Sequence, residues 1–466
     1  MKKNTFGIII GNRGFFPDAL AKNGRKNIIA SLKKLNCNTI CLSEKDTKSG
    51  AVESYTDAVK CAKLFKRNAD KIDGIIVSLP NFGDEKGVAN AIRLSGLDVP
   101  ILVHAEPDDE KLMKITHRRD SFCGKISVCN NLRQYGLSFT LTQFHTEAVN
   151  SEIFAEDIKF FAAVCRIVKG IKNTRVGAIG ARPAAFNTVR YSEKILEREG
   201  ITVETIDLSE IFGLSEKVSD KDKNKKLKEI SEYTNCAGVP KSALNKIAKF
   251  GVVIENWMNE NCIDVSAIQC WTSMEEFFGI APCTIMSMMS NKLIPSACEV
   301  DVCGALSMYA MTLAAGSPSA LTDWNNNYGD DIDKCVLFHC SNFPKKILKN
   351  VKMDYQAIIA GSVGAKNAYG TCVGRIKKGN FTFTRVTTDD TDGVIKAYTG
   401  EGEMTDDPLN TFGGFGVAKI PDLPVLLDHI CREGFEHHVA INFSEISEAI
   451  AEAFDNYLGW ETYLHN

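Results

Sequence analysis

FGIII (6–10), NTICLS (38–43), DGIIVS (73–78) and VPILVH (99–104) are short apolar runs that recur through the first third of the chain, each followed by an amphipathic stretch. That rhythm is the signature of repeated βα units and predicts a parallel sheet covered by helices. The loops after the runs, GNRGFFPD (11–18), LPNFGDE (79–85) and HAEPDD (104–109), are polar. They fall at the carboxyl ends of the strands, where open α/β sheets bind ligands. A second start follows at TRVGAIGARPAAF (174–186) and ITVETIDLSEIFG (201–213), so a second α/β domain is expected from about residue 171. The stretch 240–260 reads as an amphipathic helix leading into a strand, VSAIQCW (265–271). Near residue 350 the pattern becomes period-2 and rich in turn residues, as in YGTCVGRIKKGNFTFTRVTTDDTDGVIKAYTGEGE (369–403). The expected fold is α/β: two Rossmann-like domains with parallel sheets, 1–170 and 171–350, then a mainly antiparallel, barrel-like domain, 351–466. SEISEAIAEAFDNYL (444–458) reads as a helix close to the end of the chain.

The 466 residues exceed what one hydrophobic core usually organises, and 44% hydrophobic with 24% charged residues is an ordinary globular composition. A net charge of −3 creates no field that would draw the chain to nucleic acid or an anionic membrane, so neither is expected as a partner. No run reaches the roughly 18 apolar residues of a membrane span. The opening MKKNTFGIIIGNRGFF reads as a first strand rather than a leader, and the 16 cysteines are scattered, often inside apolar runs. Reduced thiols and a cytoplasmic location are expected. The lysine-rich stretch 215–228 is interspersed with acids and reads as a solvated face.

Chemistry concentrates in AIQCWTSMEEFFGIAPCTIMSMMSNKLIPSACEVDVCGALSMYAM (267–311). Glu275 and Asp301 each follow a segment that reads as a buried strand and each open a helical stretch. If those strands are neighbours the carboxylates converge, and such a pair can ligate a hard divalent cation and move protons. The competing reading of both is a helix N-terminal acid. Of eight histidines, His339 ends the run KCVLFHCSN (334–342), and His437 with His438 lies in GFEHHVAI (434–441). Adjacent residues of a strand point to opposite faces, so one of the pair, not both, reaches a given site. VGAIGA (176–181) lacks the full G-x-G-x-x-G spacing and no glycine loop carries a Walker lysine, so no nucleotide cofactor is expected. Cys298 and Cys303, which flank Asp301, have no second pair at zinc-site spacing and are expected to be packing residues.

CEVDVCGAL (298–306), with Met274-Glu275 upstream, resembles the E-x-D-x-x-G metal motif of the L-fucose isomerase and L-arabinose isomerase superfamily, in its fucose-isomerase-like branch. GFEHHVAI and the helix after it resemble that family's last metal-histidine segment, and Arg13 in IIIGNRG sits like a substrate-contacting arginine of the family. The resemblance implies that Glu275 and Asp301 bind Mn²⁺, Co²⁺ or Mg²⁺ and handle the proton. His437 is the implied histidine ligand with His438 as its alternative, and His339 stands where the arabinose branch has a second. Arg13, Asn81, Trp271 and Asn342 are the implied substrate contacts. The activity implied is a metal-dependent aldose–ketose isomerisation of a free sugar through a cis-enediol. The sugar resembles L-fucose or L-arabinose, or is a 6-modified hexose such as sulfoquinovose. A homo-oligomer, hexamer or trimer, is implied, with sites at subunit interfaces that Arg13 and residues 81–85 of a neighbour complete. The rival reading is a non-catalytic sugar-binding or regulatory protein with domains like those of periplasmic binding proteins, which predicts no metal.

Overall fold

The computed structural model describes residues 3–466. The chain forms two compact units, one running to Lys169 and taking in Asn456–Leu458, the other comprising Gly170–Asp455 and Gly459–Asn466.

In the first unit the apolar runs become β1 (Thr5–Ile10), β2 (Asn38–Cys41), β3 (Gly74–Leu79), β4 (Ile101–Ala105) and β5 (Thr140–Leu141). They pair in parallel in the order β2-β1-β3-β4-β5. Every residue of β3 and β4 is buried, as expected of strands covered by helices on both faces. Ser54 and Asp84 cap the helices Tyr55–Lys66 and Glu85–Ser95, each accepting a backbone N–H three residues on. Late in the sequence the chain returns to this unit. Tyr457 Oη lies 2.8 Å from Thr140 Oγ1 and donates to Ile101 O at 3.1 Å, and Asn456 Nδ2 donates to Phe139 O at 3.0 Å.

The second unit contains two sheets. The smaller is parallel, with β6 (Arg175–Ile179), β7 (Thr202–Ile206), β8 (Val265–Ile268) and β9 (Ser296–Cys298) in the order β7-β6-β8-β9. The larger comprises β10 (Ser319–Tyr328), β11 (Asp331–His339), β12 (Leu348–Tyr355), β13 (Tyr369–Ile376), β14 (Gly379–Asp389), β15 (Val394–Thr405), β16 (Gly414–Lys419), β17 (His438–Asn442) and β18 (Glu461–His465). Its order is β12-β13-β16-β11-β10-β17-β14-β15-β18, antiparallel except for the pairs β13–β16 and β15–β18. Glu403, Met404 and Thr405 also pair with Lys419, Ala418 and Val417, which joins β15 back to β16 and closes six strands into a barrel. Phe381, Phe383, Tyr398, Met404, Val439 and Ile441 lie in its core.

Two parallel-sheet α/β regions and a mainly antiparallel, barrel-like third are the architecture the sequence pattern predicts. The third sheet starts at Ser319, earlier than the change of pattern near residue 350. Between the two sheets of this unit runs the helix Val302–Ala315, VCGALSMYAMTLAA, which packs against β6, β8 and β9 on one side and β10, β14 and β17 on the other. Its sequence is apolar nearly all round because both flanks are covered. The expected helix at 444–458 is in two pieces, Ser447–Ala451 and a wider turn, Glu452–Leu458. Among the described residues no helix is long and apolar enough to cross a membrane.

Candidate metal centre

β8 and β9 lie side by side with Ile268 opposite Cys298, so the segments leaving them emerge together. After β8 come Cys270 and Trp271, then a wide helical turn, Met274–Phe278, that carries Glu275. After β9 the chain makes a left-handed bend at Glu299 and Val300, both with φ of +57°, before Asp301 caps the helix Val302–Ala315. Side chains rarely adopt that conformation, least of all β-branched valine, so the bend is held by its surroundings.

Asp301 is fully buried and all its acceptor directions are taken. Its Oδ1 accepts from Gly304 N at 2.8 Å and Arg385 Nη2 at 3.0 Å. Its Oδ2 accepts from Arg385 Nη1 at 2.5 Å and His438 Nδ1 at 2.8 Å. Burial alone would raise this carboxyl, but the Arg385 guanidinium and His438 outweigh it and hold Asp301 well below the usual carboxylate range. Arg385, also fully buried, gives its Nε to Glu436 Oε2 at 3.0 Å, and Glu436 Oε1 accepts from Thr387 at 2.7 Å. Gly304 is obligatory here: a Cβ would come within 3.0 Å of Arg385 Nη1 and closer still to Asp301 Oδ2.

With Nδ1 donating to Asp301, His438 turns Nε2 into a polar cluster. Nε2 lies 3.7 Å from Glu299 Oε2 and 3.4 Å from Asp323 Oδ1. His339 Nε2 lies 3.5 Å from the same Glu299 oxygen, its Nδ1 being 3.3 Å from Cys340 Sγ. Glu299 Oε1 accepts from Trp271 Nε1 at 3.0 Å and from Cys270 Sγ at 3.3 Å. Glu299 Oε2, Asp323 Oδ1 and both oxygens of Glu275 are buried without a hydrogen-bond donor. Burial, then the neighbouring Cys340, Glu276 and Glu299, push Glu275 up to about 9. Burying acceptors without donors is costly, and a divalent cation removes that cost. Glu299, His339 and His438 offer three ligand atoms within 4.8 Å of one another, as do Asp323, His437 and His438. Carboxylate oxygens with imidazole nitrogens suit Mn²⁺, Co²⁺ or a similar ion.

Glu299 brings together Trp271, His339 and His438, Glu275 is a buried electrostatic neighbour of Glu299, and Asn342 is buried in the same unit. Asn342 Nδ2 donates to Ser296 O at 3.0 Å, and its Oδ1 has no donor. Asp301 stands behind the cluster, its oxygens spent on Arg385, Gly304 and His438. His437 is 43% exposed at its side chain, with Nε2 3.9 Å from Asp323 Oδ1, so His438 is the histidine turned inward. Burial, then His438, push His437 down to about 4. Arg13 and Asn81 lie in the first unit and contact one another, Arg13 N donating to Asn81 Oδ1 at 3.3 Å. The Arg13 side chain donates to Gly83 O at 2.9 Å, pairs with Glu85 and lies over the Phe82 ring.

Sequence reasoning missed Glu299, Asp323, Arg385, Glu436 and Phe186, whose ring lies 5.4–5.8 Å from those of Trp271, His437 and His438. Arg385 did leave a signal, as the one charged residue inside FTFTRVTT.

Fold and cluster together define an α/β protein with an appended barrel and a buried carboxylate–imidazole centre able to hold a divalent cation. Residues 7–172 match the family described as fucose/sulfoquinovose isomerase, N-terminal domain, and residues 337–465 match L-fucose isomerase, C-terminal domain. The chain belongs to this family of aldose–ketose isomerases. Among curated relatives, a sulfoquinovose isomerase of Alkalicoccus urumqiensis is 24% identical over 387 residues, covering 82% of this chain and 83% of that one. A sulfoquinovose isomerase of Priestia megaterium is 21% identical over 311 residues, and the match spans 66% of each chain. One from a Clostridium species is 25% identical over 211 residues, 44% of this chain and 46% of that one. A periplasmic solute-binding protein of Actinobacillus succinogenes with bound D-allose aligns over 57% of this chain and 79% of its own at 12% identity. Its TM-score of 0.17 is too low to bear on the fold.

Proposed function

We propose that the protein is a divalent-metal-dependent aldose–ketose isomerase that converts sulfoquinovose to its 2-ketose through a cis-enediol. One observation carries the reading. Unpartnered buried oxygens of Glu299 and Asp323 gather where His339 and His438 aim their Nε2 atoms, and Glu275 adds two more buried oxygens without a donor. The substrate rests on the relatives, which carry the name sulfoquinovose isomerase. Family membership disfavours the non-catalytic sugar-binding alternative.

Glu275, Glu299 and His438, with His339 or Asp323, would hold the cation, here assigned as Mn²⁺ with Co²⁺ and Mg²⁺ as alternatives. When bound, it supplies Lewis-acid polarisation of the sugar's carbonyl and adjacent hydroxyl. Asp301 and Arg385 fix the tautomer and direction of His438 and so serve as positioning residues. Glu275 and Glu299 are the carboxylates with free oxygens, and we assign them the proton: one removes it from C2 of the aldose as O1 gains a proton, and it is returned to C1 as the O2 hydroxyl gives up its own. Trp271 and Phe186 supply an aromatic wall against which the apolar face of a sugar ring can lie.

We further propose a homo-oligomer, trimer or hexamer, in which Arg13 and Asn81 of one subunit complete the site of another; light scattering tests it. Every described cysteine is a free thiol, which supports a cytoplasmic location.

The test is an aldose panel of sulfoquinovose, L-fucose and L-arabinose, each with Mn²⁺ and with chelator, run in D₂O. The expected result is chelator-sensitive turnover of sulfoquinovose with deuterium entering C1 of the ketose. No turnover of any of the three with Mn²⁺, or full turnover in metal-free protein, would sink the reading.

A further inference from the structure

The two oxygens of Glu299 face different chemistry. Oε2 faces the imidazoles of His339 and His438, whereas Oε1 accepts from the Cys270 thiol at 3.3 Å. Cys298 Sγ joins that second pole, so Cys270, Cys298 and Glu299 offer three buried ligand atoms within 4.8 Å of one another. Cys283 and Cys340 are side-chain neighbours of Cys298, so four free thiols from four separate segments gather at this pole, two of them with the carboxylate. Scattered buried cysteines are packing residues, but sulfurs converging on an anionic oxygen form a donor set for a soft cation.

We propose that Cys270 Sγ, Cys298 Sγ and Glu299 Oε1 form a second cation site, selective for thiophilic divalent ions such as Zn²⁺ or Cd²⁺, and that filling it inhibits the enzyme. Binding exchanges the two thiol protons for the metal, the protons leaving to solvent, with no change of oxidation state. Zinc–sulfur bonds of about 2.3 Å and zinc–oxygen bonds of about 2.0–2.2 Å require the three ligand atoms to close in on one another. Glu299 is thereby drawn towards sulfur and away from His339 and His438. Hard cations such as Mn²⁺ prefer the oxygen and imidazole pole and leave the sulfur pole protonated. The binding half stands on the thiol geometry alone, while the inhibition half rests on the isomerase reading above.

The experiment adds Cd²⁺ alone to the reduced, metal-stripped full chain and follows the ultraviolet thiolate-to-cadmium absorption, beside Cys270→Ser, Cys298→Ala and an exposed-cysteine control, Cys431→Ser. One equivalent is expected to raise the band in the native protein and in Cys431→Ser. Cys270→Ser and Cys298→Ala should each weaken Cd²⁺ binding at least tenfold. In the Mn²⁺-supported assay, inhibition should follow the same Cd²⁺ midpoint as the band and shift with it in both thiol variants, each compared with its own uninhibited rate. A missing stoichiometric band, or one unchanged in both thiol variants, overturns the site. Inhibition at an unshifted midpoint in those variants means that Cd²⁺ only displaces Mn²⁺ at the imidazole pole, which overturns the inhibitory role. If no sugar is turned over at all, the isomerase reading has failed, and the band alone decides whether the thiol site exists. Circular dichroism of each variant confirms that it is folded.

Discussion

Glu299 and Asp301 sit two residues apart, one with an oxygen that nothing satisfies and the other with four hydrogen bonds. Their amide variants should therefore fail differently. Glu299→Gln removes basicity where a free oxygen faces the cluster and should cut turnover by about 10²–10⁴-fold even at saturating Mn²⁺. Asp301→Asn loosens the support of His438 and should weaken metal affinity by about 10–100-fold, with much of the rate recovered when metal is added. Equal losses for both at saturating metal would return Asp301 to the proton-handling pair. His438→Ala should empty the site by metal analysis while His437→Ala leaves occupancy near native, and the reverse result would move the ligand to His437. The sequence made Glu275, His339 and the pair His437-His438 legible as candidates. Glu299 lies inside CEVDVCGAL, but the sequence reading takes Asp301 as the carboxylate of that segment and passes Glu299 over. Residues i and i+2 share a face of a strand, and only the left-handed bend at Glu299 and Val300 separates their directions. Nothing in a Glu-Val pair announces such a bend.

The helix Val302–Ala315 is the element on which the centre depends, because its first turn carries both Asp301 and the glycine that lets Arg385 approach. Gly304→Ala would raise helix propensity in isolation. Here the new methyl meets Asp301 and Arg385, and the overpacking should cost about 1–3 kcal/mol of stability and lower metal occupancy together. A melting temperature and metal content both unchanged from native would show that the pair has room to yield. The period of each element was largely readable: the parallel strands as solid apolar runs, β14 and β15 as alternating ones. The hairpin of β10 and β11 was not assigned to the barrel because WNNNYGDDID (324–333) is polar on both faces and interrupts the period-2 signal. Its buried ends, Ser319–Thr322 and Cys335–Leu337, are too short to stand out from the α/β pattern before them.

The two units answer to different conditions. In the first, Glu147 Oε2 and Asp157 Oδ2 are buried acceptors without hydrogen-bond donors. Burial first, then Glu147, push Asp157 up to about 7 against an opposing hydrogen bond from Gln143 N. A carboxyl held above its unfolded value of 3.8 favours the fold while protonated. That contribution is complete below about pH 4 and is lost as pH rises through about 7. The urea midpoint of the first unit, followed by hydrogen exchange, should therefore fall between pH 5 and pH 8 by more in the native protein than in Asp157→Asn; parallel curves would show that Asp157 does not carry the dependence. The chain path carries another consequence. On the ribosome, the sheet of β1 to β5 emerges long before Asn456 and Tyr457, which bond to the backbone and Thr140 beside β4 and β5. The nascent first unit must wait in an incomplete state, edge exposed, while residues 170–455 are made. Chaperone engagement at that edge, released only when the returning segment leaves the exit tunnel, is the expected course of its synthesis.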